Sequence, residues 1–192
     1  LSTIGIGIGI AVMIVVISVF NGFENELRER FLAANAHILI SKHPDGIKHH
    51  KALEEILVND HGAHLTRIAP FVHMDTIAKH GYISQGVLVK GLHPKKRASV
   101  QDLTKLIKPL NALEALEKDM TSPKDDSEPS PAILGTGLLS LLNLKLGETL
   151  KLLVPTRDND DSLTHEENFK VVGVYDSGLA HYDNKLLLIS LT

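Results

Sequence analysis

The most constraining feature of this chain is an uncharged stretch at its start. Residues 1–23 contain no charged side chain, whereas the next seven residues, 24–30, contain five. A helix needs about 20 apolar residues to cross the hydrocarbon core of a bilayer. The stretch also lacks a charged face, which argues against an amphipathic helix lying on a membrane surface. It therefore predicts a transmembrane helix at residues 1–23 with a large polar domain behind it.

Two other interpretations fit this stretch less well. A helix buried in a soluble core can be apolar all round, but such a run is usually only about 10–14 residues long. A cleaved signal peptide needs small residues at its cleavage site, whereas this stretch ends in Val19, Phe20 and Phe23. Because the sequence begins at Leu1 without a methionine, we expect it to be part of a longer protein.

The glycines of the stretch suggest contact between helices. Gly5 and Gly9 lie four residues apart, on one face of a helix, and would let a second membrane helix approach closely. Glycine is common in membrane helices for other reasons, so specific packing and ordinary background remain equal alternatives.

Composition limits the chemistry of the chain. Its net charge is −3 with scattered basic residues, so no nucleic-acid partner is expected. It has no cysteine, which excludes disulfides and thiol catalysis. Among the 11 histidines, His49 and His50 would point about 100° apart on a helix, and no helical zinc motif occurs. We expect surface histidines and no metal site.

No motif predicts catalysis or a cofactor. The sequence has neither a nucleophile elbow nor a phosphate-binding loop, so we expect no enzyme activity in this chain. Residues 158–162 begin like a calcium loop, but Leu163 and Phe169 stand where the loop needs glycine and glutamate. They are better explained as a solvated acidic loop.

The rest of the chain alternates between strand and helix patterns. A charged helix continues the membrane helix over residues 24–34. Strands are predicted at residues 36–41, 67–78, 86–92, 150–154, 169–175 and 186–190. Helices are predicted at residues 47–59, 103–107, 110–116 and within 133–144, and residues 121–131 read as a loop. A strand–helix–strand opening before a β-rich half predicts the α+β class.

Four stretches of this sequence resemble one family in their order and spacing. They are NGFENELRER at residues 21–30, GVLVKGLHP at 86–94, ILGTGLLSLL at 133–142 leading to LGET at 146–149, and VVGVY at 171–175 leading to Tyr182-Asp183. The chain resembles the LolC/LolE permeases, which are the transmembrane subunits of the lipoprotein-releasing ABC transporter of Gram-negative bacteria. They belong to the MacB/FtsX-like superfamily.

This resemblance implies a domain organisation. Residues 24–35 would form a stalk, and residues 36–81 the first half of a βαβ porter part. Residues 82–192 would form a β-rich sabre part with a return strand, so that the MacB-like periplasmic domain has an incomplete porter part. We expect more of the porter part and further membrane helices to follow. If the chain ended at residue 192, a sheet edge at the last strand and an apolar face would be left uncovered.

The resemblance also implies a transport role with several partners. Lipoproteins would leave the membrane lipid and pass to the periplasmic carrier LolA, driven by a separate ATPase subunit and aided by a second permease subunit. Arg28, Arg30, Lys42 and Lys48 would favour a cytoplasmic side by the positive-inside rule, but long domains cross membranes regardless of charge. We therefore expect residues 24–192 in the periplasm of an inner-membrane protein. A related permease that regulates cell-wall hydrolases, or a single-span periplasmic binding module, is the alternative.

Two sets of site residues come with this resemblance. One is an apolar group near the outer end of the membrane helix that would bind lipoprotein acyl chains, or else face ordinary lipid: Val16, Val19, Phe20 and Phe23. The other lies in the loop after residue 155 and would dock the carrier: Arg157, Asp158, Asp160, Asp161, Leu163 and His165. This loop is shorter than the carrier-binding hook of LolC, and Leu163 is its single large apolar residue. LolC-like, LolE-like and merged subunits all remain open.

Overall fold

The computed structural model describes residues 2–34, 38–42, 46–65, 67–96, 103–121, 128–155 and 164–191. The chain divides into two units, Leu1–Pro44 and Asp45–Thr192. The first unit is helical, and the second contains a mixed sheet with short helices around it.

The first unit is dominated by one long helix, α1 (Ser2–Ala34), of 33 residues. At 1.5 Å per residue it is about 50 Å long, and it continues without a break from the apolar stretch into the charged stalk, as the sequence predicts. Residues 38–42 follow it without forming a strand, so the predicted strand at 36–41 is wrong over its described part. Ile38, Leu39 and Ile40 are 71, 60 and 50% exposed, because no described strand pairs with them.

The second unit contains all of the described strands. It begins with helix α2 (His50–His61) and a 3-10 turn (Gly62–His64). Its strands are β1 (Val72–His80), β2 (Ile83–Leu92), β3 (Ile107–Lys108), β4 (Ser130–Gly135), β5 (Thr149–Pro155), β6 (Thr164–Tyr175) and β7 (Leu186–Ser190). Its other helices are α3 (Ala112–Thr121), α4 (Thr136–Leu141) and α5 (Ala180–Asp183).

Six of these strands form a closed ring in the order β1–β2–β7–β4–β6–β5, with β5 returning to β1. The β2–β7 and β4–β6 pairs are parallel and the other pairs are antiparallel, while β3 adds to the end of β6. The last strand, β7, pairs with β2 on one side and β4 on the other. The expected uncovered edge at this strand is therefore wrong.

The barrel has an interior core and an outer core. The interior is filled by side chains that include Val89, Leu134, Leu138, Leu152 and Leu187. Leu186 and Leu188 point outward from β7, because side chains alternate along a strand. They join Leu116 of α3, Ile133 and Tyr175 in the outer core. A strand covered on both faces reads as a continuous apolar run, which explains the Leu-Leu-Leu-Ile sequence of β7.

Most predicted strands of this unit are confirmed. The β1–β2 hairpin turns at Gly81, whose φ is +58°. This conformation favours glycine, because the Cβ of any other residue would lie too close to the following carbonyl oxygen. The helix predicted at 103–107 is wrong: residues 103–106 form turns, and Ile107 pairs with Tyr175 as part of β3. Helix α3 begins and ends later than predicted, and β4 begins within the predicted loop. The boundary expected at residues 81/82 stays a prediction, and the β1–β2 hairpin spans it.

Candidate functional site

The four predicted lipoprotein-binding residues lie together on helix α1. Val16, Val19, Phe20 and Phe23 are spaced at i, i+3, i+4 and i+7, which places them on one side of the helix. Their exposed fractions are 59, 68, 64 and 58%. The span Thr3–Glu26 is long and apolar enough to cross a membrane, and none of it is buried within the protein. The stripe is therefore available to lipid, acyl chains or another helix.

A second stripe, which the sequence analysis did not single out, lies on the opposite side of the same helical turns. Ser18, Asn21, Gly22 and Asn25 repeat the i, i+3, i+4, i+7 spacing, turned by about half a revolution at 100° per residue. All four are exposed. Small and amide side chains are those that pack and hydrogen-bond between membrane helices. Around residues 16–25, helix α1 therefore has one apolar side and one polar side.

Most of the predicted carrier-docking residues lie outside the described residues. They are Arg157, Asp158, Asp160, Asp161 and Leu163. His165 is described: it lies near the start of β6, is exposed, and is in register with Val154 of β5. Strands β5 and β6 therefore form the hairpin that carries the predicted docking segment.

The ring of strands closes at a short seam between β1 and β5. Only Ala78 and Lys79 of β1 pair with β5 there, opposite Leu152 and Lys151. Glu166 of β6 lies 2.9 Å from the Lys151 ammonium and 3.6 Å from that of Lys79. The hydrogen bond and charge of Lys151 lower the pKa of Glu166, and Lys79 adds to this effect. One carboxylate thus links two strands across the seam.

Helix α2 borders a cavity of about 470 Å³ at the end of β2. The cavity is lined by residues that include His50, Glu54, Val58, His93 and Lys96. The Lys96 ammonium donates to both carboxylate oxygens of Glu54 at 2.6 Å. No group of three possible metal ligands occurs among the residues that the structure describes.

The connection between β6 and β7 contains buried polar groups. The carboxylate of Asp183 accepts hydrogen bonds from the amide and the hydroxyl of Ser177, at 2.9 and 2.8 Å. Both residues are buried, with exposed fractions of 7 and 1%. Burial raises the pKa of the neighbouring Tyr175 to about 12, an effect that the Ser177 hydroxyl partly offsets. The two hydrogen bonds to Asp183 hold the connection between β6 and β7 in place.

Comparison with known proteins identifies a family over the whole chain. The family described as MacB-like periplasmic core domain matches residues 1–192. The chain is also 29% identical over 164 residues to the lipoprotein-releasing system transmembrane protein LolE of Haemophilus influenzae. That match covers 83% of this chain and 36% of LolE, so the chain spans about a third of the length of this relative.

Among solved structures, the fold is similar to the extracellular domain of the noncanonic ABC-type transporter YknZ from Gram-positive bacteria. The TM-score is 0.42 at 12% sequence identity, and the similarity covers 83% of this chain and 66% of that one.

Proposed function

We propose a transport function on the premise that this chain belongs to the family of proteins with a MacB-like periplasmic core domain. The chain would be part of the transmembrane permease subunit of an ABC transporter that extracts lipoproteins from the inner membrane. It would pass them to a periplasmic carrier, LolA, using ATP that a partner subunit hydrolyses. The similarity to LolE supports the choice of lipoproteins as substrate.

The observation that carries this proposal is helix α1. Its exposed, uncharged span continues as one helix into the charged stalk up to Ala34. A rigid helix of this kind can transmit motion between the membrane and a domain outside it. The second unit, Asp45–Thr192, would then lie in the periplasm, and residues 24–35 would act as the connecting stalk. This role requires no catalytic group in the chain itself.

The two stripes of α1 suit the two neighbours that a permease helix needs. A lipoprotein presents acyl chains, and each buried CH₂ contributes about 0.8 kcal/mol. The stripe of Val16, Val19, Phe20 and Phe23 offers an apolar surface for such chains. The stripe that contains Asn21 and Asn25 would face protein, either another helix of the same subunit or the second permease subunit.

Site-specific photocrosslinking in the complete transporter tests this proposal. A photoreactive residue at Phe20 is expected to capture lipoprotein in membrane vesicles, whereas one at Ser18, on the opposite side of α1, is expected to capture protein helices. If ATP and LolA are added before irradiation, the lipoprotein should leave the permease, and less of it should be captured at Phe20. Equal capture of lipoprotein at both positions would contradict the assignment of the stripes.

A second experiment distinguishes the transport function from regulation of cell-wall hydrolases. Vesicles that contain the complete permease and its ATPase should release lipoprotein to LolA in an ATP-dependent way. A permease that regulates cell-wall hydrolases would instead activate a hydrolase without any release.

Because the chain has no cysteine, a Tyr82→Cys variant at the fully exposed hairpin tip reports the side of the membrane on which the second unit lies. Labelling of intact cells by an impermeant thiol reagent is expected.

A further inference from the structure

The strands of the barrel are paired unevenly, and the shortest ladder of the ring is the seam between β1 and β5. Strand β1 pairs with β2 along all of Val72–His80, and β5 pairs with β6 along all of Thr149–Pro155. At the seam, by contrast, only two residues of each strand are in register. The remaining pairs of the ring share at least three residues on each strand. Because ladder hydrogen bonds hold neighbouring strands together, the ring is held least firmly at the seam.

Next to the seam, a side chain replaces the ladder. The Thr76 hydroxyl donates a hydrogen bond to the Leu153 carbonyl oxygen, which connects β1 with β5 one step beyond the paired residues. Leu153 itself stays in register with Glu166 of β6. Strand β5 is therefore attached to β6 by a full ladder, and to β1 by a short ladder and this one side chain within the described residues.

The outer face of the seam has two lysines opposite each other. Lys79 and Lys151 are directly in register across β1 and β5. They point outward, because their neighbours Ala78 and Leu152 belong to the interior core and side chains alternate along a strand. Like charges directly opposite each other destabilise a strand pair. By themselves, these two lysines would favour separation of the strands.

A carboxylate from the third strand compensates this repulsion. Glu166 accepts a hydrogen bond from the Lys151 ammonium at 2.9 Å and lies 3.6 Å from the Lys79 ammonium. Lys151, and to a lesser extent Lys79, lower the pKa of Glu166, so the carboxylate is charged at neutral pH. The side chains of Lys79, Glu166 and Lys151 are 38, 43 and 56% exposed, so dissolved salt can reach them. Glu166 therefore holds the two lysines, and with them the two strands, together.

An opening at the seam would leave the rest of the barrel paired. Strand β6 continues beyond β5 and pairs with β4 as far as Tyr175, while β1 stays paired with β2. The β5–β6 hairpin could therefore separate from β1 as one piece. This movement would uncover Ala78 and Leu152, which are 0 and 1% exposed in the closed barrel.

We propose that the barrel opens at the β1–β5 seam while its other strands stay paired, and that Glu166 is the latch that keeps the seam closed. The latch depends on charge, so it loosens when the carboxylate is removed or when salt screens its attraction to the lysines. The second unit can thus change shape at one place without unfolding. This inference goes beyond the proposed transport function and does not depend on the substrate of the permease.

Thiol labelling at two buried alanines tests whether the opening is local. The chain has no cysteine, so Ala78→Cys at the seam and Ala132→Cys on β4 can be compared in the full-length permease, with any cysteine outside this chain replaced by serine. Both alanines are 0% exposed and belong to the interior core. The thiol at position 78 should be labelled at least about tenfold faster than the one at position 132. Low urea should leave the first rate unchanged and raise the second, because a local opening exposes little surface.

Charge variants in the Ala78→Cys protein test the latch. Glu166→Gln should raise the labelling rate about fivefold, because the opposed lysines are then uncompensated. Adding Lys79→Gln should return the rate to within about twofold of its starting value, because the repulsion is then removed as well. Salt should speed labelling when Glu166 is present and slow it in Glu166→Gln. Glu114→Gln, at an exposed carboxylate on α3, is the matched control and should leave the rate unchanged.

Each outcome decides the proposal. Faster labelling at position 78 together with the rescue by Lys79→Gln would support it. Equal rates at positions 78 and 132 would overturn it, because the barrel would then open only by unfolding as a whole. An unchanged rate in Glu166→Gln, or effects of the two charge variants that simply add, would also overturn it. If a cysteine variant does not fold, hydrogen exchange of the wild-type amides at 78–79 and 151–152, against those at 132–134, makes the same comparison.

Discussion

Replacing Asp183 by alanine is expected to destabilise the second unit substantially. This carboxylate accepts two hydrogen bonds from Ser177, and both residues are buried. The corner has little room to rearrange, because a Cβ on Gly135 would clash with the carbonyl oxygen of Asp183. The alanine variant would therefore remove both of these hydrogen bonds in a tightly packed place.

The size of the effect follows from these contacts. A hydrogen bond to a charged group contributes about 1.5–3 kcal/mol, and Asp183 accepts two of them at one carboxylate oxygen. The two contributions overlap, so we expect a loss of about 3 kcal/mol for Asp183→Ala. For a unit of the size of Asp45–Thr192, each kcal/mol lowers the unfolding midpoint by about 2–4 °C. The expected decrease is therefore about 6–12 °C.

Thermal unfolding followed by near-ultraviolet circular dichroism measures this change, because the signal comes from tyrosines and not from the membrane helix. Asp183→Asn keeps the accepting oxygen and removes only the charge, so a smaller loss of about 1 kcal/mol is expected. Asp176→Ala is the matched control: this exposed carboxylate accepts a 3.3 Å bond from the Gly178 amide. Its loss should stay within about 0.5 kcal/mol. Equal midpoints for Asp183→Ala and Asp176→Ala would refute the reasoning.

Three further predictions concern the seam, the outer core and a close approach of the backbone. Glu166→Gln should lower the unfolding midpoint slightly at neutral pH. The difference should vanish in acid, because a carboxylate with a lowered pKa contributes stability above its ordinary pKa and loses it as the pH falls through the lowered value; a pH series of melts of both proteins checks this. The wild-type protein should lose stability between about pH 10 and 12, and the Tyr175→Phe variant should lack this loss. With a folded-state pKa raised to about 12, the neutral tyrosine stabilises the fold fully below its ordinary pKa of 10.0, and this contribution is lost as the pH rises through 12; alkaline melts of wild type and variant test it. Gly173→Ala should cost about 1–3 kcal/mol in urea unfolding, because its Cβ would lie 2.5 Å from the Cβ of the first residue of α3. Gly86→Ala, where a Cβ meets nothing within 4 Å, is the neutral comparison.

The sequence predicts the strands of the barrel better than the way they close. Residues 150–154, 169–175 and 186–190 were recognisable as strands because their apolar runs match strand lengths and end at turns. Closure depends on Ala78 and Lys79 meeting Leu152 and Lys151, more than 70 residues away. No local pattern encodes such a contact. The same applies to Ile107. The residues around it have a helical pattern, but Ile107 forms a strand because it pairs with the distant Tyr175.

The candidate site divides in the same way. The resemblance to the LolC/LolE permeases implies the set Val16, Val19, Phe20 and Phe23, and the unbroken helix α1 places these residues on one side. The opposite stripe of Ser18, Asn21, Gly22 and Asn25 has the same spacing, and a search for polar positions within the apolar stretch would have found it. The seam between β1 and β5, with Glu166 bonded across it, could not be predicted, because it brings together residues that are distant in the sequence. Whether Leu163 contacts a carrier remains a prediction, since this residue lies outside the described ranges.

The length of β6 has a mechanical consequence. Its 12 residues extend over about 40 Å, and the strand pairs with β5 along its first half and with β4 along its second. Ladder hydrogen bonds lie across the strands, so a pull along β6 loads many of them in shear at once instead of opening them one after another. Force applied where β6 begins, beside His165, would therefore reach Tyr175 at its far end with little stretching. In this barrel β6 therefore connects the end at Thr164 mechanically with the end at Tyr175.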